Sequence, residues 1–456
     1  MSDKHRHDIR IAYIGGGSRN WAVNLMKDLA LSEQLSGQLV LYDIDYRAAA
    51  ANVKKGAAIF SHPDARSTFK VEAVKTARTA LKGADFVLIS IEPGPAQMRY
   101  ADLEIPKRYG ILQTVGDTVG PGGLCRALRT VGTYVDYADQ IMTHCPAAWV
   151  INFTNPMTVC TAALFEAAPE IKAFGCCHEV FATQFWLGEL VKKHYKVPKP
   201  ERHEIELDIA GVNHFTFATS ARWQGEDLLA LERERMARRN FFASKAAVTR
   251  KMYQKGDWWN AIQLVSRDLL RRFGALGAAG ERHLVEFVPW YIPDEATMFR
   301  WGVLPTLYKH RVEMSRKPLT RVPRRDEPLD ASGEESARLI TALCGGGDVV
   351  SNVNVVNRGQ VAGLPLGAVV ESYAEFRRDE VRPITASPLP AGVEAMQKRV
   401  IAEQQLTLRA GVEKDRELAL QALLMDALVH LSTDRADRML AEMMEHTREY
   451  LKGWKL

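Results

Sequence analysis

Short apolar runs spaced by segments of helix length constrain the fold of this chain more than any other feature. Four stand in the first 180 residues: IRIAYI (9–14), QLVLYDID (38–45), ADFVLISI (84–91) and AAWVINFT (147–154). A strand with one wet face alternates apolar and polar side chains. The unbroken apolar character of the last two runs therefore predicts strands covered on both faces, as in a parallel sheet flanked by helices. A helix is expected between the first two runs, from about Asn20 to Leu31, so the segment reads as successive βαβ units. The expected fold class is α/β, with a doubly wound parallel sheet over residues 1–185.

The rhythm then changes. A β-like stretch, IELDIAGVNHFTFATSARW (205–223), precedes helix-forming charged segments around 226–272. A second, DVVSNVNVVNRG (348–359), precedes a long helical tail expected over 392–452. This half, 186–456, reads as a mixed α+β domain. The proline- and charge-rich segment 316–336 is expected as an exposed loop.

Composition narrows the function. With 46% apolar and 25% charged residues among 456, global disorder is excluded and two or three domains fit the length. The 60 basic against 55 acidic residues leave +5, too small and too evenly spread for a nucleic-acid binder, although it favours an anionic small molecule. The polar start MSDKHRHDIR has no apolar signal core, and no run approaches a membrane span. The six cysteines do not read as a disulfide framework. The expected compartment is the reducing cytoplasm, where a free thiolate can bind metal.

The first strand runs into Gly15, Gly16, Gly17 and Ser18 and then a helix. Such a turn lets a dinucleotide pyrophosphate approach the backbone and rest on the helix N-terminus, which makes the first domain Rossmann-like. Asn20 stands where a third glycine is usual, and any tight βα turn also uses glycine. Asp43, ending the second run, is placed to accept bonds from the adenosine ribose and favours NAD over NADP; Asp45 is an alternative. Asn152 and Asn155, in NFTNPM, follow a strand at its carboxyl end, where open α/β sheets bind ligands, yet Asn-Pro is also plain turn punctuation. Cys177 and His214 lack the short spacing of a zinc finger, so they chelate one ion only if the fold brings them together.

These segments, in order with GDTVGPGGLCRALRT (116–130), CHEV (177–180), GVNH (211–214), GERHLVEF (280–287) and NVNVVNRG followed by GLPLGAVVE, resemble the NAD- and metal-dependent family 4 glycoside hydrolases over nearly the whole chain. CHEV resembles the version associated with α-galacturonidases. The resemblance implies redox-assisted elimination in place of displacement by two carboxylates. NAD takes hydride from C3 of the sugar, a base removes the C2 proton, the C1 substituent leaves, water adds, and the hydride returns.

It also implies residue roles. Cys177 and His214 would hold a divalent metal, Mn²⁺ by preference, and Asp117 would protonate the leaving oxygen. Asp257 or Tyr253 would be the C2 base, and Asn152 and Asn155 would hold the sugar and the nicotinamide side. Arg282 first and Arg99 second are candidates to pair with a uronate carboxylate. His178 and Glu179 would complete the substrate site, with Glu179 orienting an arginine or bonding a sugar hydroxyl. The second half would carry substrate, metal and subunit contacts, with a homodimer or homotetramer expected. The alternatives are the same mechanism on α-glucuronides, α-glucosides or α-galactosides, a lactate/malate-type NAD-dependent dehydrogenase, and an NAD-binding sensor.

Overall fold

The computed structural model describes residues 7–257, 262–306 and 321–455. Its first half is built from strands β1 (His7–Ile14), β2 (Leu35–Tyr42), β3 (Phe69–Val74), β4 (Phe86–Ile89), β5 (Trp149–Asn152) and β6 (Lys172–Gly175). They alternate with helices α1 (Trp21–Ala30), α2 (Tyr46–Phe60), α3 (Ala77–Leu81), α4 (Ala96–Arg108), α5 (Gly120–His144), α6 (Met157–Ala167) and α7 (Glu179–Tyr195). The strands lie side by side in the order β3-β2-β1-β4-β5-β6, all parallel. This is the doubly wound arrangement expected from the apolar runs.

Helices cover both faces. On α1, Ala22, Val23, Leu25, Met26, Leu29 and Ala30 recur at helical spacing and are buried. Helix α2 starts where the Asp45 carboxylate accepts from the backbone N–H groups of Arg47 and Ala48 at 3.0 and 3.2 Å, a cap of about 1 kcal/mol. Strands β3 and β6 were not among the predicted runs: FKVEAV carries two charges, and KAFG has only two apolar side chains.

The second half extends the same sheet. Strands β7 (Glu206–Val212), β8 (Phe215–Trp223), β9 (Glu226–Asp227), β10 (Leu276–Gly277), β11 (Val349–Val356), β12 (Val369–Arg377) and β13 (Glu380–Pro383) add antiparallel pairings beyond β6. The resulting 13-stranded sheet runs through both halves, and residue 185 falls inside α7. The stretch 205–223 is a hairpin with Asn213 and His214 at its tip, His214 taking the left-handed φ of 65°.

The helical tail is three helices, Ala391–Glu413, Arg416–Met425 and Thr433–His446, broken by a left-handed Lys414. Of the segment expected as an exposed loop, residues 316–320 lie outside the described residues. Its remainder is a strap on the first half: Leu329 N–H donates to Asp64 at 3.0 Å, and Ser332 N–H to the buried Asp28 at 2.7 Å. Leu329 is buried, so one apolar side chain and two carboxylates anchor a segment that is otherwise loop-like. All six cysteines are free thiols. No helix among the described residues is long and apolar enough to cross a membrane.

Candidate active site

Because β1, β4, β5 and β6 are parallel and in register (Ile14 beside Ile89, Ile89 beside Asn152, Asn152 beside Gly175), their carboxyl ends open onto one edge. That edge carries the glycine turn, Glu92, Asn155 and the Cys177–Glu179 segment, at the position where doubly wound sheets bind ligands.

The glycine turn is shaped by its neighbours. Gly15 has φ +89°, and a Cβ there would lie 2.0 Å from the Ser90 carbonyl oxygen. Gly17 N–H donates to Asp43 Oδ2 at 2.9 Å, and Asp45 N–H to Asp43 Oδ1 at 2.9 Å. Asn52, buried on α2, donates to the carbonyls of Gly16 and Ser18 at 2.9 and 2.8 Å. The Asn20 side chain does not cap α1, and the first N–H of the helix, that of Trp21, is accepted by Ser18 Oγ in the turn at 3.2 Å, so the helix N-terminus abuts the glycine turn as an anion site would require. Asn155 Oδ1 is buried with no hydrogen-bond partner among the described residues. A glycine cradle, a helix start abutting it and an orphaned amide oxygen together fit a dinucleotide.

Beside this edge, Asp117, His214 and His283 come together with their ligand atoms within 4.8 Å of one another. Asp117 lies on the loop leading into α5, His214 on the β7–β8 hairpin tip, and His283 on the short helix Glu281–Phe287. Buried Glu286, on that same helix, grips the loop by accepting the N–H groups of Thr114, Val115 and Gly116 at 2.6, 2.7 and 3.0 Å. The two imidazoles stack with centroids 3.8 Å apart and planes 24° apart. His283 Nε2 is 3.3 Å from Asp117 Oδ1, and its Nδ1 is 3.2 Å from Glu179 Oε1. One oxygen and two nitrogen donors form a set that suits a divalent cation such as Mn²⁺.

The electrostatics follow from burial and pairing. Burial alone would lower the His283 pKa, but the charge of Glu179, with Asp117 behind it, raises it to about 10. Burial lowers that of His214 to about 3, helped by the charged His283. Burial would raise Asp117, yet the bond and charge from His283, then Arg126 and His214, hold it well below the usual carboxylate range. Glu179 is lowered in the same way by His283, against the effect of burial. Unloaded, the group is a cation held between two anions.

The other candidates divide. Arg99 lies 3.6 Å from Asp117 and 3.0 Å from Glu92, and Arg126 reaches Glu92 at 3.1 Å and the Asn155 carbonyl at 2.7 Å. Arg282 donates to the Thr114 carbonyl at 3.2 Å and to Thr306. Burial, foremost, and the charge of Arg99 lower the pKa of Arg282, which also feels Asp117 and Glu179. Cys177 is buried, and burial together with the charges of Glu371 and Glu179 raises its thiol well above the ordinary value. It is not among the three groups whose ligand atoms converge.

One candidate, Asn152, differs from expectation. Asn152 has a fully buried side chain that accepts from Tyr134 and from Thr154 N–H and donates to Thr161 at 3.0 Å. It therefore braces the turn carrying the cis Asn155–Pro156 bond, with no atom turned to a ligand. His178 turns toward Glu334 at 3.3 Å and stacks near Trp21. Tyr253 packs on Phe299 with centroids 5.5 Å apart, and its hydroxyl is raised by burial and by Glu295. Asp257 follows the helix Ala246–Lys255 that carries Tyr253, its N–H bonded to the Met252 carbonyl at 3.0 Å.

Residues 10–193 match the family 4 glycosyl hydrolase domain, and residues 209–429 match that family's C-terminal domain. The chain belongs to family 4 of the glycosyl hydrolases. Among family 4 relatives, a protein from Thermoanaerobacterium saccharolyticum named alpha-galacturonidase is 43% identical over 100% of this chain and 99% of its own length. The crystal structure of a putative glucosidase from Bacillus subtilis superimposes with a TM-score of 0.86 at 40% identity, covering 96% of this chain and 99% of that one. A 6-phospho-alpha-glucosidase from gut microorganisms, solved with NAD and Mn²⁺, shares the fold at a TM-score of 0.73 and 19% identity, covering 98% and 100%.

Sequence reasoning missed His283, Glu92, Arg126 and Asn52. His283 stood in the GERH segment, from which only the arginine was taken. An imidazole beside an arginine near buried acids was the available signal. Asn52 and Glu92 lie in no motif, and only the fold reveals them.

Proposed function

We propose that this chain is an α-galacturonidase that opens the glycosidic bond of short uronate-containing saccharides with the help of NAD and a divalent metal, Mn²⁺ by preference. The observation that carries the substrate class is a pair of guanidiniums at the site: Arg99, 3.0 Å from Glu92 and 3.6 Å from Asp117, and Arg282, on the same short helix as His283. Arg99 already pairs with Glu92 and Asp117, so a uronate carboxylate would join these acids at the two guanidiniums, whose planar forks suit it. Full-length likeness to proteins named alpha-galacturonidase supports the same substrate.

When bound, NAD supplies a reversible hydride acceptor and the divalent cation a Lewis acid at neighbouring sugar hydroxyls. The Gly15–Ser18 turn and Asp43 hold the dinucleotide, and Asn155 presents its unpaired oxygen on the nicotinamide side. His214, with Cys177 by resemblance, holds the cation. Asp117 is the acid for the leaving oxygen. Its proton comes from the pair it forms with His283, where one proton rests on Nε2, 3.3 Å from Oδ1. Asp257 or Tyr253 would take the C2 proton. The same reading carries a cytoplasmic homodimer or homotetramer.

A panel of nitrophenyl α-galacturonide, α-glucuronide, α-galactoside and α-glucoside, with and without Mn²⁺ and NAD⁺, tests the reading. The expected result is cleavage of the galacturonide alone or foremost, and only with both additions. Preference for a neutral sugar, or turnover after metal removal, contradicts it.

A further inference from the structure

The glutamate of the CHEV segment is held by two protein partners. One oxygen of Glu179 accepts the Gly280 N–H, and Oε1 lies 3.2 Å from His283 Nδ1. Gly280 is required for this approach, since a Cβ there would stand 2.4 Å from Glu179 Oε2. Glu179 therefore fixes one histidine in one rotation.

His214 is fixed in the same manner. The Thr118 hydroxyl donates its one hydrogen to Asp117 Oδ1 at 2.8 Å. Its 2.7 Å contact with His214 Nδ1 must then be accepted from an Nδ1–H, which leaves the His214 Nε2 lone pair free. Each imidazole thus has Nδ1 committed to an outer partner, and in metal sites such partners fix the ring so that the opposite nitrogen can bind the ion. A ring nitrogen of each lies within 4.8 Å of the other and of an Asp117 oxygen, close enough to share one ion after a small rotation of the rings.

We infer that His283 is a second imidazole ligand of the divalent cation, alongside His214, and that Glu179 is the positioning residue that holds it there. This rests on the reading of the chain as a metal-dependent α-galacturonidase and explains its distinguishing glutamate, since Glu179 shapes the cation site while the arginines meet the uronate. Ligation at Nε2 requires the proton there to leave, and Asp117 Oδ1, 3.3 Å away, is in reach to take it.

The test is Mn²⁺ added to the full chain, read by loss of the free-ion electron paramagnetic resonance signal and by nitrogen couplings in electron–nuclear double resonance. Wild type is expected to show two imidazole nitrogens. His283→Asn should leave one and weaken Mn²⁺ binding about 100-fold. Glu179→Gln should keep both nitrogens yet weaken binding about 10-fold, as loss of an outer partner does. A single nitrogen in wild type, or unchanged affinity in a folded Glu179→Gln, overturns the inference and leaves the α-galacturonidase reading standing. No Mn²⁺ binding by wild type overturns both. The wild-type count decides the matter even where a variant does not fold.

Discussion

The two halves contribute to the site in different ways. In the first half the functional atoms are contiguous: Gly15–Ser18 form one turn, and Asp43 follows the next strand, so one βαβ unit builds the dinucleotide cradle. In the second half His214 is at a hairpin tip and His283 on a short helix, and both meet Asp117 from the first half. A contiguous device survives changes elsewhere. A convergent one depends on every element that aims a side chain into it.

That contrast can be broken from either side, and the largest effect belongs to the convergent group. Asp117→Asn removes the group that protonates the leaving oxygen and should lower kcat by about 10³-fold, with binding of NAD unchanged; kinetics on the galacturonide and a dinucleotide titration check this. Next comes Gly15→Ala, which places a methyl on the Ser90 carbonyl at φ +89°. It should abolish saturable NAD binding and destabilise the fold by roughly 2–3 kcal/mol, while Mn²⁺ affinity persists; calorimetry and metal titration separate the two.

Titration sharpens the same contrast in metal-free protein. His283, raised to about 10, should keep its imidazolium signals through neutral pH, and His214, lowered to about 3, should stay neutral into acid. The linkage signs are opposite. The contribution of His283 is fully present below the unfolded histidine value and lost as pH rises through about 10. That of His214 is present above the unfolded value and lost as pH falls through about 3. Imidazole nitrogen shifts followed by NMR report both; a shared midpoint near 6.5 would contradict the pairing. The smallest effect is confined to the first half: Asp45→Ala uncaps α2 and should cost about 1 kcal/mol, read as a lower Tm with the metal site intact.

The sequence made the parallel half legible because a buried parallel strand leaves a local record, an apolar run between turn residues. Strand β3 escaped because only Phe69 is buried in it and the rest of its side chains are part-exposed or exposed. The segment 321–336 is the largely exposed loop its composition predicts, and what the composition does not show is its anchoring to the first half by Leu329 and the carboxylates of Asp28 and Asp64. In the site, the glycine turn and Asp43 were readable from spacing. His214 was singled out as a possible chelator, but Asp117 and Glu179 came only from resemblance, and His283 not at all, because convergence of residues far apart in the chain leaves no periodic trace. Asn152 was misread for a related reason: its amide serves Tyr134, Thr154 and Thr161, and a motif does not say which way a side chain faces.

The most direct measurement of whether the contiguous and convergent devices serve one reaction is turnover of an α-galacturonide in D₂O with NAD⁺ and Mn²⁺, followed by mass and NMR analysis of the released sugar. Deuterium at C2 is the expected result, since oxidation held by the first half must acidify the proton removed beside the second. Release of galacturonate with C2 entirely protiated would contradict it.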